Sequence, residues 1–334
     1  MQSQSKRARV RMPVHRAFKQ SSLIAALVVG LCLDGVPAVG GETDPYTYRE
    51  IDIGDSLEIL DAKVNDSLDR IASNWSRGCN ERTFIFAVYR DLGGRHWVDK
   101  IERWAMFAPE IDRLPHKRAN SVFADAPIFI STGARLGNFS RTINLNGVYI
   151  STDKLGHFFS QGRKFYTRYQ RLGSVTKAAR LTARWEGLIW GNVLSGIYSN
   201  ADLVANYEGF LFYRSLLNED VIKGQAAIFQ CNEGALIKRR EFTWADHVNP
   251  YWDEMLNPSY FRQALVPAIE RRMLRLCDDF AERPSRYQIE NSEDLHARYE
   301  ALALRDSSVQ PISDYLDENC QESRSSDPEK DHLN

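Results

Sequence analysis

Beyond residue 40 the chain has no apolar run approaching the roughly twenty residues that a membrane-crossing helix needs, so no span is expected after the N-terminal segment. It also lacks Gly-x-Ser-x-Gly, His-Glu-x-x-His and any Gly-rich phosphate loop. The motif-defined serine hydrolases, zinc proteases and P-loop nucleotide binders are thereby removed as readings. Positive charge is not in excess either. Six of the 43 basic and one of the 44 acidic groups lie in the first 38 residues, so the remainder carries a net charge of −6. That charge disfavours the phosphate backbone, and no nucleic-acid partner is expected. Cysteine is sparse, and no two cysteines after residue 38 stand at zinc-ligand spacing. Internal repeats and coiled-coil heptads are absent as well.

What the chain does have, at its start, is an export signal. Leu23 to Leu33 is apolar and follows Lys6, Arg7, Arg9, Arg11, Arg16 and Lys19, the layout of a secretory signal peptide. Val36-Pro37-Ala38 offers small residues for cleavage, which makes residues 1–38 the signal, with Met12 as an alternative start. The expected location is periplasmic or secreted, or membrane-anchored if the signal is kept. Cys79, Cys231, Cys277 and Cys320 survive cleavage, and in an oxidising compartment they allow up to two disulfides in any of three connectivities.

Residues 39–320 have the length of a single domain, and the polar stretch 321–334 is expected to be a disordered tail. The fold class is mainly α. Leu57, Leu60, Val64, Leu68 and Ile71 recur at spacings of three and four and predict a helix over 56–75, capped near Asp55 or Ser56. Shorter helices are expected over 83–89 and 97–107. One strand pair stands out at about 141–150, where Asn146-Gly147 between alternating apolar residues predicts a hairpin turn. Helices over about 152–171, 175–195 and 200–217, joined by short connections, form a bundle over 151–217. From 218 to 280 the sequence reads as helix mixed with a proline-containing loop, with further helices near 259–283 and 291–305. Aromatic residues in 249–260 offer a docking face for another envelope protein or a membrane surface.

Inside the bundle a few polar residues recur at helical spacing. Asp153 and His157 stand four apart, as do Asp202 and Asn206, so each pair projects from one helical face. Asp202, Asn206, Gly209 and Tyr213 continue that face along one helix, and Gly209 in mid-helix suggests close packing. Glu186 stands among apolar helical neighbours and would need a partner if ionised. Asp153 and Asp202 also suit the positive start of a helix, which accounts for them without any site. An Asp one turn before a His can orient the imidazole and raise its basicity, in catalysis or in metal ligation. Asp153, His157 and Glu186 are accordingly the candidate catalytic residues, and Lys154, Asp202 and Asn206 the candidate binding residues. His157, Glu186 and Asp202 are candidate ligands for a divalent metal, the one cofactor the set could hold.

The order Asp153-Lys154-x-x-His157-Phe158, then Glu186, then Ser199-x-x-Asp202-Leu203-x-Ala205-Asn206-x-x-Gly209 resembles the pattern of bacterial envelope proteins of the YfiM-like group and, more distantly, of VanZ-like membrane proteins. The resemblance covers residues 151–209 and implies an envelope setting and a shared polar site; VanZ-like proteins are associated with glycopeptide resistance. This chain departs from them in its long flanking segments and its lack of later spans. Two functions follow as expectations: a binding or envelope-maintenance protein, or an envelope hydrolase acting on lipid, phosphate ester or cell-wall fragments, with His157 as general base and Glu186 and Asp202 as acid or metal ligands.

Overall fold

The computed structural model describes residues 44–94, 98–122, 124, 140–186, 197–302 and 304–325, with the backbone alone for Arg118, Trp185, Glu186 and residues 321–325. All of these belong to one packed unit, residues 39–334. Residues 1–38, expected to be a signal peptide, residues 187–195 of the expected middle helix and the tail beyond 325 lie outside the described residues.

Among the described residues the fold is mainly helical, with only small antiparallel strand pairs. Helix α1, Leu57–Ser73, buries Leu60, Val64 and Leu68, the stripe that its spacing predicts. It packs on α2, Glu81–Leu92, whose N-cap Asn80 accepts from the Thr83 amide. Helix α3 spans Lys100–Phe107. Strands β1, Thr142–Leu145, and β2, Val148–Ser151, form the expected hairpin. Its turn residues Asn146 and Gly147 have φ of 56° and 77°, the left-handed values that a tight primed turn demands. The Asp55 carboxylate takes the amides of Leu57 (2.9 Å), Asn146 (2.9 Å) and Gly147 (3.2 Å), so one side chain ties the start of α1 to the hairpin turn.

The hairpin runs straight into the central helix. This begins as α4, Asp153–Gly156, widens into a π-helical turn over His157–Gln161, and continues as α5, Gly162–Leu172, which ends at Gly173 with φ 62°. Helix α6 follows over Val175–Glu186 and α7 over Asn200–Ser215, and α7 lies along α5 and the π turn. The contact is backbone to backbone. A Cβ on Gly209 would sit 1.9 Å from the Phe158 carbonyl oxygen, and one on Gly162 would sit 2.6 Å from the Gly209 Cα. No residue larger than glycine fits there without parting the helices, which gives the mid-helix glycine its physical reason.

The C-terminal half departs from the expectation of helix and loop. Strands β4, Phe229–Asn232, and β5, Ala235–Lys238, make a second hairpin that turns on Glu233 and Gly234, both at positive φ. A disulfide from Cys79, just before α2, to Cys231 fastens this hairpin to the core. Strands β3, Ile197–Tyr198, and β6, Tyr260–Phe261, form a two-residue pair. The long helices expected near 259–283 and 291–305 are instead the short segments α8, Val266–Met273, α9, Cys277–Glu282, and α10, Ser292–Tyr299, divided by 3₁₀ turns. Together with α11, Ile312–Ser325, they enclose a second apolar cluster of Leu265, Ile269, Met273, Phe280, Ile312 and Leu316.

One expectation needs correction. The segment read as disordered from residue 321 begins inside α11, because the Cys277–Cys320 disulfide and buried Leu316 hold that helix against α9. Within the aromatic stretch 249–260, Trp252 is internal, fully buried among Phe158 and Trp244, whereas Tyr251 is half-buried and Tyr260 is exposed. No described helix is long and apolar enough to cross a membrane, and two formed disulfides suit an oxidising compartment.

Candidate functional site

Three helical elements converge where α4, the π turn and the start of α7 meet. Asp153, His157 and Asp202 each present a ligand-type atom, and these atoms lie within 4.8 Å of one another. About a fifth of each side chain is exposed, 18% for Asp153 and His157 and 20% for Asp202, so solvent reaches the cluster. The His157 Nδ1 faces the Asn206 side-chain oxygen at 3.0 Å, and its Nε2 faces Asp202 Oδ2 at 3.4 Å. An amide oxygen can only accept, so this orientation puts a proton on Nδ1. In the neutral ring, Nε2 then directs its lone pair at a carboxylate oxygen, which is repulsive. A cation between them, a proton or a metal ion, resolves that conflict.

Behind this layer lies a buried ammonium. Lys154 is 1% exposed, and its Nζ contacts Asp202 Oδ1 at 2.7 Å, Glu254 Oε1 at 3.1 Å and Asp153 at 3.3 Å. Glu254 also accepts from the Ser199 hydroxyl at 2.6 Å, and that hydroxyl caps α7 by accepting from the Asp202 amide. Burial disfavours the charge on Lys154, but Asp153, Asp202 and Glu254 together outweigh it and hold its pKa well above the usual lysine value. Burial also raises Asp153 to about 6, reinforced by the Asp202 and Glu254 charges and opposed by Lys154 and His157. At Asp202 burial pushes upward, but His157 and Lys154 prevail and hold the carboxyl below its ordinary range. The two acids are thus driven apart, as in sites where carboxylates take different roles.

The face of α7 predicted from spacing of four, three and four meets the central helix at every step. Asp202 meets His157 and Lys154, Asn206 meets His157, Gly209 meets the Phe158 backbone, and the Tyr213 hydroxyl donates to the Phe159 carbonyl at 2.8 Å. Thr152, which precedes α4, makes no capping bond, and its hydroxyl accepts from the Arg141 amide.

Helix α3 adds acids that sequence reasoning missed. Asp99 and Glu102 are 4% and 5% exposed, and Ser160 of the π turn donates to Asp99 at 2.7 Å. Burial raises Asp99 to about 6 against the pull of Ser160, His157 and Lys164. Burial, then the charges of Asp153 and Asp99, raise Glu102 well above the usual value. No local spacing links 99–102 to 153–157. The sole clue was a pair of acids, three apart, opening a short amphipathic helix. Glu254, likewise missed, sits in the proline-bounded loop read as a docking face.

Of the candidates from sequence, Asp153, Lys154, His157, Asp202 and Asn206 come together. Glu186 ends α6, and its side chain lies outside the described residues. A separate buried set, with Glu208 taking His247 at 3.1 Å, Tyr299 at 2.8 Å and Arg298 at 2.7 Å, braces α7 against α10. Comparison with protein-family models, with curated proteins and with solved structures gives no match.

Proposed function

We propose that this chain is an exported envelope protein whose Asp153–His157–Asp202 cluster binds a divalent metal ion and supports hydrolysis of an ester or phosphate ester. The observation that carries this reading is the convergence of one imidazole nitrogen and two carboxylates within 4.8 Å at a solvent-reached position. Ligand bonds of about 2.0–2.2 Å close that span with small side-chain shifts. One imidazole with carboxylates suits zinc, manganese or ferrous iron. Such an ion would lower the pKa of a bound water toward neutrality and polarise the scissile group. The protein's own part is support: Asn206 fixes the ring and Lys154 anchors Asp202, while Glu254, held by the Ser199 hydroxyl, anchors Lys154. The likeness of residues 151–209 to envelope proteins supports the setting.

The test is metal titration of tag-free, chelator-stripped protein, with turnover of nitrophenyl ester and phosphate reporters. Stoichiometric binding that is lost in His157→Ala and Asp202→Asn, while circular dichroism stays native, is expected. Absence of stoichiometric metal in the wild type overturns the reading. A second reading, a binding or envelope-maintenance scaffold, draws support from Lys154, whose three carboxylate contacts already neutralise part of the cluster. Metal binding without turnover of any reporter would favour it.

A further inference from the structure

The acids of α3 approach the same backbone segment from its other side. A Cβ on Gly156, between Asp153 and His157, would lie 2.7 Å from Glu102 Oε2 and 3.4 Å from Asp99 Oδ2. The two carboxylates therefore converge on the space that the missing side chain leaves. Glu102 Oε1 and Asp99 Oδ2 have no hydrogen-bond partner among the described residues, although both side chains are more than nine-tenths buried. Unpaired buried carboxylate oxygens are costly. Ser160 satisfies the other Asp99 oxygen, the Lys154 ammonium is committed to Asp153, Asp202 and Glu254, and Lys164 and His157 draw on Asp99 by their charges. Asp153 acts on Glu102 through its charge, and His157 acts on Asp99. Five acids, Asp99, Glu102, Asp153, Asp202 and Glu254, thus stand against three cations that act on them, Lys154, Lys164 and His157.

We infer that Asp99 and Glu102 form a second cation position beside Gly156, making the centre a two-metal site. This rests on the metal reading above. Carboxylate oxygens without an imidazole favour a hard ion such as Mn²⁺ or Mg²⁺ there. Two ions on one carboxylate-rich site would clamp both oxygens of a phosphoryl displacement, which narrows the substrate class to phosphate esters.

The experiment uses Mn²⁺ as the probe on the full mature chain, with stoichiometry from calorimetry and elemental analysis and ion–ion coupling from electron paramagnetic resonance. Two Mn²⁺ per chain with a coupled spectrum are expected in the wild type. Asp99→Asn with Glu102→Gln should bind one uncoupled ion, and each single variant is measured should the double variant not fold. A wild type that binds one uncoupled Mn²⁺, lost in His157→Ala, overturns the second position and leaves the first site standing. Two ions retained in the double variant also overturn it, and no bound ion in the wild type defeats both readings.

Discussion

Asn206 holds its side-chain oxygen 3.0 Å from Nδ1 of His157, and this contact decides which ring nitrogen faces the acids. Outer partners of ligating histidines typically account for about 10–100-fold in metal affinity. Asn206→Ala should weaken Mn²⁺ binding by that order, and calorimetry on protein of native circular dichroism checks it. Unchanged affinity would mean that the ring is oriented by something else.

Gly209→Ala discriminates packing from propensity. In an exposed helix this change stabilises by about 1 kcal/mol. Here the new methyl would lie 1.9 Å from the Phe158 carbonyl oxygen, so a loss of about 1–3 kcal/mol is expected. Urea unfolding should show a lower midpoint together with weaker metal binding, since the same crossing seats Asn206 against His157.

Lys154→Met removes the ammonium and leaves Asp153, Asp202 and Glu254 facing one another. Breaking a buried ion pair from one side costs about 3–5 kcal/mol. Adding Glu254→Gln should recover part of that loss, because it removes one of the uncompensated charges. A double variant no more stable than the single would show that Glu254 does not share the lysine's charge.

In metal-free protein the acids give a recognisable pH response. Asp99 rises from its ordinary 3.8 to about 6 on folding, and Asp153 also to about 6. Both bind a proton more tightly folded than unfolded. Their contribution to stability is therefore full below pH 4 and is lost as pH rises through 6. Asp202, held low, works oppositely: its contribution is present above pH 4 and disappears on acidification. For Asp99 the loss is on the order of 3 kcal/mol. Asp99→Asn should flatten the fall in unfolding free energy between pH 4.5 and 7 relative to wild type, and denaturant melts across that range measure it.

Much of the central bundle was legible because its contacts repeat at the helical period. Residues 153 and 157, and 202, 206, 209 and 213, announce their shared faces by spacing alone, and Asn146-Gly147 announces its hairpin by backbone chemistry. The acids at 99, 102 and 254 carry no such signature, since tertiary packing alone brings three distant segments to one point. The second hairpin was hidden for a related reason: its strands are short, only partly alternating, and held in place by a disulfide whose pairing spacing does not reveal. Trp252 looked like a surface aromatic because a proline-rich loop gives no period from which to read burial.

The widened turn at His157–Gln161 has a consequence for how this chain tolerates change in length. Each residue advances a regular helix by about 100°, so removing a single one from this stretch would let the backbone close into ordinary turns while rotating everything on one side of it against the other. His157 and Ser160 would no longer face their present neighbours at the same time as Phe165 and Tyr166 kept theirs. Substitutions in these five positions are local events, but a one-residue deletion would act as a change of phase between the two halves of the helix.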